Sequence, residues 1–305
     1  MKRFLLFASG VFAVVVMLFL ANEMLNAAMC KHSEVGDERM EKADRIRHLF
    51  RELDNEEIPI LGSSRAGAYV PSVISERCRG YSFSGSRLKE TLFQLGKVLS
   101  ARKEGLVIVN IDPWGAMGYD EPFVAIYDLV ADDTDVRANV SDASGNFVAS
   151  MFPYAFRFKR NLQNLIQASK RRRLVLVRQS DATGVPDAEW ARMDATVKPW
   201  YFEKNDEAVA QLKDVLDRQG ENKIAWVVSP IEPHKREMMQ NAAAMMDFLG
   251  IAASRRGNYV FDFFTDASVF TRADFVDPNH LNREGGIKFS KLLYNSLVAE
   301  GLLNN

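Results

Sequence analysis

Asp277 and His280 stand three residues apart in FVDPNHLNREGG, close to the end of the 305-residue chain. That spacing lets a carboxylate accept from imidazole Nδ1–H, which fixes the tautomer and leaves Nε2 free to take a proton. A lone D-x-x-H is more often a turn that caps the helix behind it, so a second group has to converge on it before chemistry follows. Ser64 is the candidate. It lies in IPILGSSRAG, where an apolar run breaks at Gly62 into small polar residues, as a strand does when it enters a tight turn. A nucleophilic serine needs a base, an orienting acid and oxyanion donors. The N–H groups of the Ser64 turn and of Gly85, whose missing side chain permits close approach, are the candidate donors.

The other histidines are fewer than the chemistry they would have to share. His32 and His48 read as surface residues, and His234, in SPIEPHKRE, falls in a loop that can touch substrate. One D-x-x-H offers too few convergent ligands for a metal-dependent hydrolase, and Cys30 and Cys78 form no C-x-x-C, so neither a metal nor a cofactor is expected. A bridge between the two cysteines stays open.

The frame that must hold these residues is legible as alternating strands and helices. Apolar runs at 58–61, 80–84, 106–112, 223–231 and 259–264 read as strands, and several are continuous rather than alternating, which means burial on both faces. The expected fold is therefore α/β, with a parallel sheet covered by helices on each side. In such sheets the functional loops gather at the carboxyl ends of the strands, which singles out Ser63, Ser64, Gly85, Asn110, Asp112, Pro230 and His234. Helices are expected over 37–53, over a stretch burying Leu88, Leu92, Leu95 and Leu99, and over 283–299 with Phe289, Leu292, Leu293 and Leu297 inward. Residues 116–220 exceed what one crossover helix needs and read as an insertion. Its aromatic-basic stretch, Phe152 to Arg160, is either a docking surface for an anionic polymer or membrane face, or an amphipathic helix on the core; the second is favoured. Trp190, Trp200 and Tyr201 likewise either stack on sugars or belong to a core.

Composition narrows the partners. Lys+Arg number 39 against 40 Asp+Glu, so the concentrated basic face of a nucleic-acid binder is not indicated, and 47% hydrophobic residues exclude wholesale disorder. After Lys2 and Arg3, residues 4–21 carry no charge, a helix of about 27 Å at ~1.5 Å per residue, close to a bilayer core. The preceding positive charges keep the N-terminus cytoplasmic and send the rest outward. An uncleaved anchor leads over a cleaved signal and a buried core helix. The expected plan is an anchor at 1–30, an amphipathic connecting helix at 31–54, and a catalytic domain at 55–305, single-pass in the inner membrane and facing the periplasm.

With these residues placed, the chain resembles the SGNH (GDSL-type) hydrolase superfamily over roughly 55–115 and 222–300. Gly62-Ser63-Ser64-Arg65 is similar to its G-D-S-x block, with Ser64 at the nucleophile position. Asp277 to His280 is similar to its late D-x-x-H block, and Gly85 to the glycine of its second block. Ser63 stands where the family has Asp, and the third block, G-x-N-D in the family, reads Val109-Asn110-Ile111-Asp112-Pro113-Trp114. The resemblance implies a three-layer, flavodoxin-like sandwich, a catalytic set of Ser64, His280 and Asp277, and an oxyanion hole from Ser64, Gly85 and Asn110. Arg65, Asp112, Trp114 and His234 are assigned to substrate contact. The branch it looks like contains membrane-anchored proteins of surface-polymer acylation, such as the D-alanyl transfer protein of teichoic acid modification and the alginate O-acetylation proteins.

The expected activity is a serine esterase or O-acyltransferase acting on acyl esters of a cell-surface polysaccharide or polymer. A transferase facing outward needs acyl groups delivered by a polytopic acyltransferase partner. The competing class is a non-catalytic binding or scaffold protein of an envelope complex. Every version requires positions 64 and 280 to converge.

Overall fold

The computed structural model describes residues 17, 20, 45, 46, 48–83, 86, 88–112, 185–196, 200, 201, 206–240, 242–265 and 268–303. The chain divides into two compact units, 1–47 with 126–175, and 48–125 with 176–305. Ser64, Asp277 and His280 belong to the second. Apart from positions 17 and 20, the apolar run 4–21 lies outside the described residues, as do His32, the segment 151–166, the basic cluster 170–173 and the strand expected at 174–177. Among the described residues no helix is long and apolar enough to cross a membrane.

The strands in chain order are β1 (Ile58–Leu61), β2 (Cys78–Gly80), β3 (Leu106–Asn110), β4 (Trp200–Tyr201), β5 (Lys223–Val228), β6 (Met239–Gln240), β7 (Asn258–Asp262), β8 (Phe275–Asp277) and β9 (His280–Leu281). The helices whose bounds fall among the described residues are α1 (Pro71–Ile74), α2 (Leu88–Ala101), α3 (Asp187–Asp194), α4 (Asp206–Asp217), α5 (Pro233–Glu237), α6 (Ala242–Ala253) and α7 (Arg283–Ala299), and residues 48–51 are also helical. Five strands form one sheet in the order β2-β1-β3-β5-β7, and every neighbouring pair is parallel. The fold is thus α/β, with a central parallel sheet flanked by helices.

Continuous apolar strands do here what burial on two faces requires. Ile58, Ile60, Ile108, Ala225 and Val227 point to one side, packed with Phe289, Leu293 and Leu297 of α7 and with Trp190 of α3. Leu61, Val107, Val109, Ile224, Trp226 and Val228 point to the other, against α2, α4 and α6. Burial of each such Leu, Ile or Phe contributes roughly 1.5–3 kcal/mol, so these two interfaces hold the layers together. Trp190 is therefore core, the second of its two expected roles. The helix α4 falls inside the range expected as an insertion, yet it shares a core cluster with α2 and α6. A parallel crossover from β3 to β5 needs such a helix, so 206–217 belongs to the framework.

Boundaries shift at the sheet edge. The second strand was expected at 80–84, whereas β2 ends at Gly80. Tyr81 and Phe83 still donate backbone N–H to Ile60 and Gly62 carbonyls, at 2.8 and 3.2 Å, so the pairing with β1 extends past the assigned strand. Cys78, on this strand, is buried and free, and burial pushes its thiol up to about 12, away from reactive thiolate. Cys30 lies outside the described residues.

Two close approaches fix the segment around Ser64 against β3 and α7. Gly62 has φ +143°, and a Cβ there would lie 2.8 Å from Asn110 Cβ, so only glycine turns the chain out of β1 at this point. A Cβ on Gly286, in the first turn of α7, would lie 2.4 Å from the Ala68 carbonyl oxygen, four residues past Ser64. Ser290 one turn on accepts the Val70 N–H at 2.9 Å, and Tyr69 meets Phe289 edge-on with ring centroids 4.9 Å apart. The helix that follows His280 is thereby clamped to the segment that follows Ser64. Gly286→Ala is expected to cost about 1–3 kcal/mol, the usual penalty for overpacking, measurable as a lower denaturant midpoint at unchanged slope. An unchanged midpoint would mean that α7 docks without this contact.

Candidate active site

Ser64 follows β1 on a turn that winds into a 3-10 segment, Ala66–Ala68, and its side chain is half-buried. Arg65 N–H donates to Ser63 Oγ at 3.3 Å, and Ala66 and Gly67 N–H to the carbonyls of Ser63 and Ser64, both at 3.1 Å. Among the described residues the Ser64 N–H has no intramolecular acceptor. It is available to an incoming oxygen.

At the other end of the chain, Asp277 and His280 are not in an open loop. They are the paired residues of a small antiparallel hairpin, β8 with β9, turned by Pro278 and Asn279. The pairing sets carboxylate and imidazole face to face. His280 Nδ1 lies 2.8 Å from Asp277 Oδ2 and 3.0 Å from Oδ1. A carboxylate only accepts, so Nδ1 carries the hydrogen and Nε2 is the free acceptor. Ser64 Oγ sits 2.9 Å from that Nε2, 216 positions away in sequence, and donates its hydroxyl to it. Burial is the largest single influence on Asp277 and works to raise its pKa, but the hydrogen bond and charge of His280 and the backbone N–H groups of Asn279 and His280 together outweigh it. The carboxyl is held below its ordinary value and stays charged beside the imidazole.

No protein-family model matches the chain, and no curated protein matches it. Among solved structures it is similar to a Streptococcus pneumonia protein provisionally described as a platelet activating factor, at 13% identity and a TM-score of 0.40. The match covers 93% of this chain and 99% of that one. This is a distant structural neighbour.

The remaining expected site residues divide sharply. Arg65 was assigned to substrate contact, but its side chain is buried beneath the rim. Its Nη2 donates to the Ser229 and Pro230 carbonyls, both at 2.6 Å, and Nη1 lies 3.6 Å from Asp112 Oδ1. Asp112, also assigned to substrate, is turned the same way. Both hold the loops after β1, β3 and β5 to one another, since a buried guanidinium is stable only when carbonyls and a carboxylate surround it. Asn110 is buried, its Oδ1 accepting from Tyr69 and Ser229 hydroxyls while Nδ2 donates to Asp112 at 3.1 Å. That pattern fixes the amide's orientation and takes up one of the two Nδ2 hydrogens expected for an oxyanion. Gly85 and Trp114 lie outside the described residues. His234 is exposed on α5, at the same end of the sheet as Ser64.

The segment after β5 holds two further charged residues near His234, Glu232 and Lys235, that are buried. Glu232 is buried, caps α5 through Lys235 N–H at 3.0 Å, and accepts from Arg272 Nε at 2.8 Å. Arg272 also grips both Asp194 oxygens, at 3.0 and 3.2 Å, with its guanidinium 4.8 Å from the Trp190 ring centre. The signal was present: an acidic residue directly before Pro233 is the form of a helix start, whose side chain is turned back on the backbone.

Proposed function

We propose that this chain is an extracytoplasmic serine esterase or O-acyltransferase of the SGNH type, acting on acyl esters, acetyl foremost, of a cell-surface polysaccharide or polymer. One observation carries the reading: the 2.9 Å hydrogen bond from Ser64 Oγ to His280 Nε2, with Asp277 behind the imidazole. The sheet supports it as well. Counted by its own strands the order is 2-1-3-4-5, the doubly wound order in which ligands bind beyond the carboxyl ends of the strands, where Ser64 stands.

In the first step Ser64 Oγ bonds the acyl carbon as its proton passes to His280 Nε2, and the carbonyl electron pair moves onto oxygen. The Ser64 N–H meets that oxyanion, a contact of the kind worth ~10²–10³ in turnover. The imidazolium is steadied by Asp277. Collapse expels the alkoxide, which takes the proton from Nε2, and leaves acyl-Ser64. Water or a polymer hydroxyl then gives its proton to Nε2 and attacks the acyl carbon, releasing the acid or the transferred ester. Oxyanion donation from Gly85 and Asn110, and substrate contact by Trp114 and His234, remain part of this proposal.

The uncharged run 4–21 after Lys2 and Arg3 supports an inner-membrane anchor at 1–30, a connecting helix at 31–54 and a periplasmic domain at 55–305. A transferase so placed works with a polytopic partner that delivers the acyl group. The test is turnover of p-nitrophenyl acetate and of an acetylated polysaccharide by the full chain in detergent, with and without a polyol acceptor. Acetate release, or acetyl transfer to the polyol, is expected. Folded protein that neither releases nor transfers an acyl group would favour a binding or scaffold role.

A further inference from the structure

The hairpin that presents Asp277 and His280 is held from outside by α5. Glu232 N–H donates to the Pro278 carbonyl at 3.2 Å, and Lys235 Nζ donates to Asn279 Oδ1. Each residue of the two-residue turn is therefore tied to the first turn of α5. Lys235 is buried although it belongs to a short helix at the rim, and a buried ammonium is costly unless hydrogen bonds and opposite charge offset its lost hydration. Two charges face it from other elements: Arg65, on the turn after β1, opposes its charge, and Asp277, on β8, favours it. Arg65 is itself paired with Asp112. On its own helix stand the N-cap Glu232, which is engaged by Arg272, and His234, Arg236 and Glu237.

We propose that Lys235 is a positioning residue: its ammonium, acting through Asn279, holds the hairpin in the register at which His280 Nε2 reaches Ser64. A hydrogen bond from a charged donor is roughly twice as strong as a neutral one, so the hold weakens when the ammonium loses its proton. Burial first, and then the Arg65 charge, bring Lys235 down to about 8 against the pull of Asp277. The hold is full below that pH and weakened above it. Activity acquires an alkaline limb that Ser64, His280 and Asp277 do not themselves require.

This inference rests on Ser64 acting as the nucleophile, so its experiment has one readout that depends on turnover and one that does not. On the full chain, kcat/KM for p-nitrophenyl acetate is measured from about pH 6 to about pH 10, corrected for spontaneous hydrolysis. The wild type should lose activity with a midpoint near 8. Lys235→Arg, which keeps its charge, should move that limb upward by about one unit or more. Asn279→Ala and Lys235→Met should each lower kcat by roughly 10-fold and flatten the limb, and the double variant should fall no further than either single one. Independently, the Nδ1–H proton resonance of His280 should shift or broaden in Asn279→Ala and in Lys235→Met while the fold persists. A limb unmoved by Lys235→Arg, or full activity in Asn279→Ala, overturns the proposal. If the wild type turns nothing over, an unchanged His280 resonance in the variants overturns it on its own, and a changed one upholds the positioning while the esterase reading fails.

Discussion

Ser64→Ala is expected to lower turnover of an acyl ester by ~10³–10⁶-fold, because the proposed mechanism forms its acyl intermediate on Ser64 Oγ. What survives is catalysis by the oxyanion donor and by binding alone. Folding should be nearly untouched. Among the described residues Oγ makes one hydrogen bond, to His280, at a half-buried site, so stability should change by no more than about 1 kcal/mol. The decisive comparison is kcat/KM beside the denaturation midpoint for the same preparation. Loss of both together would assign Ser64 to the fold, and loss of neither would remove it from the chemistry.

Asp277→Asn separates orientation from charge. The amide oxygen can keep accepting from the Asn279 and His280 backbone N–H groups, now at 2.7 and 3.0 Å, so the hairpin should persist. Its NH₂ group, however, donates to Nδ1 and forces the hydrogen onto Nε2, which then cannot take the proton of Ser64. A loss of about 10⁴ in kcat is expected, as for other triads trapped in the wrong tautomer. The same substitution alters acid stability, with a definite sign. A carboxyl whose folded pKa is depressed contributes stability that is present above its unfolded value and is lost as pH falls through the folded one. The wild type should therefore lose stability more steeply than Asp277→Asn as pH drops through the ordinary carboxylate range and below. Parallel acid denaturation curves would mean that the carboxylate gains nothing from His280.

Where sequence and structure agree, the cause is periodicity. The runs at 58–61 and 106–110 are apolar at every position up to Asn110 save for Pro59, and a strand buried on both faces leaves no other pattern. Helix α7 spans the expected 283–299, and the structure adds its cap, Asn282, whose side chain accepts the Gly285 N–H at 2.8 Å. The D-x-x-H spacing was legible too, although as a loop. That Asp277 and His280 face each other across a hairpin follows from β8 pairing with β9, and two such short strands carry no periodic signal. Direction was the part least available. Arg65 beside Ser64 reads equally well as a substrate-binding cation or as a buried tie, because a charge in a loop says nothing of which way its side chain turns. Only the Ser229 and Pro230 carbonyls, brought near by β5 lying beside β3, decide it. Lys235 was hidden for the same reason. Its partner Asn279 is 44 positions away, and the adjacent His234 drew the reading toward a residue that is exposed.

The most direct test is reaction of the full chain with a fluorophosphonate, followed by mapping of the adduct. Such a probe bonds to a serine only when a neighbouring base removes its proton. One adduct on Ser64, absent in His280→Ala and slowed in Asp277→Asn, is the predicted result. A folded wild-type chain that takes no label at Ser64, or a His280→Ala variant labelled as fast as the wild type, would contradict it.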